Sequence, residues 1–133
     1  MFDTEAHRPY IDLCRGLRLE REFAVGDYCS ALGGGAPWGP GLWDWETGVD
    51  RTGLDRRGLT WIWLPRLDQW LSMLEEAGED SVTLETTRSP GLYRAWNGIG
   101  DDEAIDGRAG AGRTREEAAA KLWCAVTGRA VTA

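Results

Sequence analysis

The residues best suited to chemistry in this chain are tryptophans and arginines within one glycine-rich segment, residues 33–58. Indole rings stack on bases, and guanidinium groups bind phosphate through paired hydrogen bonds. The segment therefore predicts a pocket for a nucleotide-like anion. The alternative is that its tryptophans fold down as a small satellite core beneath a long loop. The predicted pocket residues are Trp38, Trp43, Trp45, Arg51, Arg56 and Arg57.

A second candidate lies at Gly107–Thr114, which has the spacing of a P-loop with Arg113 at the lysine position. A glycine-rich loop that opens onto a helix N-terminus favours an anion. A P-loop NTPase is not expected, because the preceding DDEAID is no hydrophobic strand and only 19 residues follow Thr114. The prediction is simple anion binding at this helix end, and the alternative is an ordinary capped loop. The residues assigned to it are Arg113, Thr114 and Arg115.

The chain offers little for catalysis or metal binding. No serine or cysteine has a credible base partner, because the only histidine, His7, lies near the amino terminus. The acidic segment 101–106 lacks the ligand spacing of an EF-hand. We therefore expect no enzymatic activity, no cofactor and no metal. The cysteines, Cys14, Cys29 and Cys124, are too widely spaced for zinc or a disulfide framework and are expected to be reduced thiols.

Charge and hydropathy limit the partners. The net charge of −7 argues against broad binding to nucleic acid or to an anionic membrane, because both need a basic surface. No apolar run approaches the length of a transmembrane helix, and the first 20 residues show no signal peptide. A length of 133 residues fits a single domain. We expect one cytoplasmic domain over residues 1–133.

The clearest element is a helix over about 66–77. Its apolar residues Leu67, Trp70, Leu71 and Leu74 recur at helical spacing and predict one buried face. Pro65 suits the first helical turn, and Gly78 is placed to end the helix.

The remaining pattern predicts an α+β fold. A capping box, Thr114 to Glu117, starts a helix over about 115–127. Segments 81–87 and 92–97 flank a Ser-Pro-Gly turn and predict a β-hairpin. We expect a small antiparallel sheet packed against the two main helices, with a long Gly/Trp-rich loop at 33–58 and a second loop at 98–113. Smaller elements are a short helix at 10–16, extended structure at 20–32, a strand at 60–63, and a short hairpin pairing 43–45 with 59–63.

Two stretches carry a resemblance. WLPRLDQWLSMLEEAG, then a strand pair with a tryptophan near its end, then RTREEAAAKLWCAVTG, resembles small uncharacterised proteins of tailed phages and prophages, of the phage α-β-α sandwich type. The resemblance covers about residues 23–128 and includes no catalytic signature. It implies a phage-encoded accessory protein that acts in the host cytoplasm, and it assigns no site residues.

These observations lead to two functional hypotheses. The first is a non-enzymatic counter-defence protein that sequesters a small anionic nucleotide-like ligand, such as a host immune signal. Two or more chains could form the pocket together, as a homodimer or higher oligomer, since one small domain rarely encloses a large ligand. The alternative is direct inhibition of a host defence protein through exposed tryptophans and the acidic surface.

Overall fold

The computed structural model describes residues 5–19, 24, 26–32, 41–44, 49–50, 60–79, 82–87, 91–97 and 109–129. Within these ranges the chain forms three helices and seven strands, all paired antiparallel, which confirms the α+β class. No helix in this part of the chain combines the length and the hydropathy needed to cross a membrane.

The chain divides into two compact units, residues 1–65 and 66–133. We call these the amino-terminal and the carboxy-terminal unit. The expectation of one domain over the whole chain stays a prediction.

The amino-terminal unit consists of one helix and a four-stranded sheet. Pro9 stands in the first turn of the helix, where its fixed φ is tolerated. The helix and the 60–63 strand predicted from sequence are confirmed with small shifts at their ends. The elements are α1 (Arg8–Leu17), β1 (Tyr28–Leu32), β2 (Gly41–Asp44), β3 (Val49–Asp50) and β4 (Thr60–Leu64), and the strand order is β3-β2-β1-β4.

Part of the predicted 33–58 loop is regular structure. Strands β2 and β3 lie within it and pair with each other, with Trp43 opposite Asp50. The predicted pairing of 43–45 with 59–63 is wrong, since β4 pairs with β1 and places Trp63 opposite Cys29. Strands this short carry too few alternating residues for their partners to be identified from sequence. The rest of the segment lies outside the described residues.

The core of the amino-terminal unit forms where α1 packs on β4. Tyr10 and Cys14 of the helix and Leu64 of the strand are fully buried. Two side-chain hydrogen bonds satisfy polar groups in this region. The Tyr10 hydroxyl donates to the Pro65 carbonyl, and Arg15 Nη2 donates to Ser30 Oγ at 3.1 Å. Such hydrogen bonds offset the free-energy cost of removing polar atoms from water.

The carboxy-terminal unit is a three-stranded sheet with two helices. Helix α3 (Arg115–Thr127) packs on β7 (Ala109–Gly112) and β6 (Tyr93–Asn97), and α2 (Leu67–Glu76) packs chiefly on α3. The chain has a second antiparallel sheet in addition to this one, and the strand predicted at 60–63 belongs to it. The predicted hairpin is confirmed. The elements are α2 (Leu67–Glu76), β5 (Val82–Thr86), β6 (Tyr93–Asn97), β7 (Ala109–Gly112) and α3 (Arg115–Thr127), in sheet order β5-β6-β7.

Both ends of α2 are capped. The Arg66 N–H donates to Gln69 Oε1 at 2.7 Å, so the helix begins at Leu67 and Pro65 precedes the cap instead of standing in the first turn. At the other end Gly78, with φ of +95°, donates to the Glu75 carbonyl at 3.0 Å. The Glu79 N–H donates to Leu74 at 2.8 Å, which completes a Schellman motif. The predicted stop at Gly78 is therefore confirmed.

The buried stripe of α2 is narrower than its sequence predicts. Trp70 and Leu74 are fully buried, and the Trp70 ring lies 5.6 Å from that of Trp123 on α3. Leu71 was expected on the same face but is 37% exposed. Residues that follow one another in a helix point about 100° apart, so a contact centred on Trp70 and Leu74 leaves Leu71 at its margin.

Candidate functional site

The nine predicted ligand residues fall into two groups in different units. In the amino-terminal unit only Trp43 is described, as a residue of β2. Those of the carboxy-terminal unit, Arg113, Thr114 and Arg115, surround the start of α3. The remaining five, Trp38, Trp45, Arg51, Arg56 and Arg57, lie outside the described residues.

The glycine-rich segment before α3 is a strand over part of its length. Ala109–Gly112 form β7, which pairs with β6 and corrects the predicted loop over 98–113. The glycines permit close packing on α3: a Cβ on Gly110 would collide with the Ala118 carbonyl and the Leu122 nitrogen, and a Cβ on Gly112 would lie 2.6 Å from the Glu117 side chain. Close packing between strand and helix therefore accounts for the glycines at 110 and 112, while Gly107 lies outside the described residues.

The N-terminus of α3 is capped by the chain's own oxygens. Thr114 Oγ1 accepts from the Glu117 N–H at 3.2 Å, and Glu117 Oε1 accepts from the Arg113 N–H at 2.8 Å. The other oxygen of the same carboxylate lies 3.1 Å from Lys121 Nζ. The buried Glu117 carboxylate accepts from a backbone N–H at the start of the helix, so it occupies part of the position that a bound anion would take there. An anion here would be bound by side chains more than by backbone N–H groups.

Replacing Thr114 with alanine is expected to lower the free energy of unfolding by about 1 kcal/mol, because the Glu117 N–H loses its acceptor. Urea denaturation measures the change. Thr127 gives a matched control, since its hydroxyl bonds the Trp123 carbonyl at the exposed end of the same helix. Thr127→Ala should stay within about 0.5 kcal/mol of wild type. Equal losses from both variants would contradict the capping role of Thr114.

The side chains of Arg113, Arg115 and Tyr93 also lie near the start of α3, and they take no part in capping the helix. Thr114 is extended, with φ of −134° and ψ of 162°, and its side chain is buried while Arg113 and Arg115 are exposed. In extended backbone alternate side chains leave on the same side, with Cα atoms about 7 Å apart. The Arg115 guanidinium lies 5.2 Å from the centre of the Tyr93 ring. We call Arg113, Arg115 and Tyr93 the arginine edge.

A further charged group lies on the sheet face opposite α3 and was not predicted. Glu85 Oε1 accepts from Arg94 Nη2 and, at 3.2 Å, from the Trp96 indole N–H. The Arg94 guanidinium also lies 5.3 Å from the Trp96 ring centre. The hairpin register, which places Glu85 opposite Arg94, is the sequence signal that could have revealed this group. The Glu85 carboxylate already accepts two hydrogen bonds, so we interpret this group as one that stabilises the hairpin.

The thiols and acids of the described residues offer no activated group. Burial raises the pKa of the Cys124 thiol, and the neighbouring Arg129 guanidinium offsets part of that rise. A raised pKa keeps the thiol protonated, whereas a nucleophilic cysteine needs the thiolate. Cys14 and Cys29 are buried and are not in a disulfide. Within the described ranges no three histidine, cysteine or acidic side chains gather as a metal site.

Comparisons with known proteins return no match: no family model, curated protein or solved structure is similar to the chain.

Proposed function

We propose that the protein is a non-enzymatic binding protein that sequesters a small anionic nucleotide-like ligand on the arginine edge. The observation that supports this proposal is the pair of exposed guanidinium groups on either side of buried Thr114, one of which lies on Tyr93. Guanidinium groups bind phosphate through two parallel hydrogen bonds and also stack on aromatic rings. A nucleotide offers both kinds of contact.

The arrangement also limits the entropic cost of binding. A free arginine side chain loses rotamer freedom when it binds a ligand, and this loss opposes association. Contact with Tyr93 restricts Arg115 before the ligand arrives. The chain carries a net charge of −7, so selectivity for an anion would depend on this local basic site.

Sequestration would work by mass action. A protein in excess over a signalling nucleotide lowers the free concentration of that signal without chemistry. Together with the resemblance to small phage proteins, this suggests a counter-defence accessory protein in the host cytoplasm. A homodimer or higher oligomer would enclose a large ligand better than one chain, since two arginine edges could then hold it from both sides.

Replacing Arg113 or Arg115 with alanine is expected to weaken binding of the responsive nucleotide about tenfold each, because a charge-assisted hydrogen bond is lost. A thermal-melt panel of linear and cyclic nucleotides identifies the responsive compound, and titration then gives Kd for each variant. Arg8→Ala removes an exposed arginine from α1 and is the matched control. An equal effect of all three variants would mean that only net charge matters.

The same titration shows which of the two predicted sites binds the nucleotide. Trp43→Ala changes the Gly/Trp segment of the amino-terminal unit, whereas Arg115→Ala changes the arginine edge. We expect the larger loss from Arg115→Ala. A loss confined to Trp43→Ala or Arg57→Ala would move the site to residues 33–58, as the sequence first suggested.

The second candidate function is inhibition of a host defence protein by direct contact. It was expected to use exposed tryptophans, but Trp63, Trp70 and Trp96 are buried and Trp123 is half-buried. The side chains of the other four tryptophans, Trp38, Trp43, Trp45 and Trp61, lie outside the described residues. The observation that favours this candidate is different: Leu71 is the one large apolar side chain that is exposed in the described part of the chain, and acidic residues surround it in the sequence.

A further inference from the structure

The register of the sheet places the aromatic ring of the arginine edge. Tyr93 of β6 lies opposite Gly112 of β7, and residues that lie opposite one another have their side chains on the same face. A Cβ on Gly112 would meet the Glu117 side chain, so this face is the one on which α3 packs. Tyr93 is therefore directed toward the beginning of α3, where it is half-buried.

Arg115, the first residue of α3, lies over this ring. The carbon at the centre of its guanidinium group is 5.2 Å from the ring centre, which is within the range of a cation–π contact. The residue is exposed, so a ligand can reach the guanidinium group while the contact with Tyr93 is kept. Because a guanidinium group is flat and stacks on rings, the solvent side of Arg115 offers a surface for a second ring.

The other arginine of the edge suits a phosphate. Within the described residues Arg113 and Arg115 form no ion pair, and Arg113 has no ring contact. The Glu117 carboxylate uses one oxygen for the Arg113 backbone N–H and the other for Lys121. A guanidinium group binds phosphate through two parallel N–H donors. A phosphate on Arg113 would therefore displace no ion pair of that guanidinium group.

The spacing of the two arginines suits a ligand with a ring at one end and a phosphate at the other. Thr114 between them is extended, so their Cα atoms are about 7 Å apart. In a nucleotide the ribose holds the base and the phosphate apart in a similar way. A phosphate compound without a base would bond both guanidinium groups but would gain nothing from the ring surface at Arg115.

We propose that the arginine edge binds purine nucleotides, with the base stacked on Arg115 and the phosphate bonded to Arg113. This inference rests on the proposed sequestration function and assigns the chemical class of its ligand. Stacking accepts every base because every base has a flat π face, and the double ring of a purine covers more of the guanidinium group than a pyrimidine does. Adenine and guanine nucleotides should therefore bind alike, and both more tightly than cytosine or uracil nucleotides.

Isothermal titration of the whole chain with AMP, GMP, CMP, UMP, phosphate and pyrophosphate tests the inference. AMP and GMP are expected to bind about fivefold more tightly than CMP and UMP, since a purine stacks on more surface. AMP should bind about thirtyfold more tightly than phosphate, which has no base to stack. It should also bind more tightly than pyrophosphate, although pyrophosphate carries more charge.

Two lysine variants separate the roles of the arginines. Arg115→Lys keeps the positive charge but loses the planar group, so its Kd values for AMP and CMP should agree within about twofold. Arg113→Lys loses the two parallel donors, so it should raise the Kd of all four monophosphates about fivefold and keep the purine preference. Arg8→Lys on α1 is the matched control and should leave every Kd unchanged. All three arginines are exposed, so the variants should melt near the wild-type temperature.

The inference is overturned if Arg115→Lys keeps the full purine preference, or if pyrophosphate binds as tightly as AMP. In both cases nucleotides still bind, so sequestration stands without the assigned ligand class. It is also overturned if none of the four monophosphates binds. Sequestration then survives only if another linear or cyclic nucleotide raises the Tm, and no response to any nucleotide would contradict both proposals.

Discussion

Replacing Trp70 with alanine is expected to lower the free energy of unfolding of the carboxy-terminal unit by about 4 kcal/mol. Trp70 is fully buried, and its ring lies 5.6 Å from the Trp123 ring at an interplanar angle of 58°. The variant loses the apolar burial, leaves a cavity between α2 and α3, and removes an aromatic pair that contributes about 1 kcal/mol of its own. Urea denaturation followed by tryptophan fluorescence and circular dichroism measures the change.

Ser72→Ala is the control on the same helix, because Ser72 is exposed. It should change the stability by less than about 0.5 kcal/mol. Trp70→Phe should fall between the two, since phenylalanine keeps an aromatic ring but fills less volume. A loss below about 1 kcal/mol for Trp70→Ala would contradict the packing of α2 on α3 through this residue.

Replacing Gly110 with valine is expected to destabilise the same unit by about 3 kcal/mol or to prevent its folding. The added Cβ would collide with two backbone atoms of α3, the Ala118 carbonyl oxygen and the Leu122 nitrogen. Backbone atoms in the middle of a helix cannot rotate aside as a side chain can. The strand and the helix would have to separate. Thermal unfolding and denaturant titration measure the loss.

The neighbouring residue gives the control. Ala111 lies on the same strand and is exposed, so Ala111→Val adds the same branched side chain on the other face of β7. Valine is favoured in strands, and this variant should be close to wild type in stability. If Gly110→Val and Ala111→Val unfold alike, β7 does not pack on α3 as described.

The elements that could be predicted from sequence are those with local signals. Helix α2 has a long apolar period and a glycine stop. Helix α3 begins at a predicted capping box: Thr114 Oγ1 accepts from the Glu117 N–H as expected, whereas Glu117 accepts from the Arg113 N–H, one residue before the cap. The β5–β6 hairpin has turn residues between two alternating segments. In each case a few neighbouring residues specify the structure, so no knowledge of distant contacts is needed.

The elements that were missed depend on distant partners. The sequence Ala109–Gly112 has no apolar alternation and is favourable for a loop, yet it forms a strand because β6 and α3 hold it from two sides. The same packing explains its glycines, which the sequence alone assigned to an anion-binding loop. Leu71 illustrates the converse: a helical period identifies an apolar face but not how much of it a neighbour covers.

The candidate site was predicted in part. The sequence singled out Arg113, Thr114 and Arg115, and the structure places Thr114 as the helix cap between two exposed arginines. It gave no sign of the Tyr93 ring beneath Arg115, because that contact joins a strand to a helix start 22 residues later in the chain. The sequence did identify Glu117 as a capping carboxylate, but the N–H that it bonds is that of Arg113 and not that of Thr114.

The most direct test of sequestration is mass spectrometry of the ligand that heat releases from protein incubated with a nucleotide that raises its Tm. We predict that the compound is recovered with its mass unchanged, and that the combined Arg113→Ala and Arg115→Ala variant retains little of it. Recovery of an altered compound would mean that the protein is an enzyme. No rise in Tm with any linear or cyclic nucleotide would contradict the proposed function and favour direct binding of a protein partner.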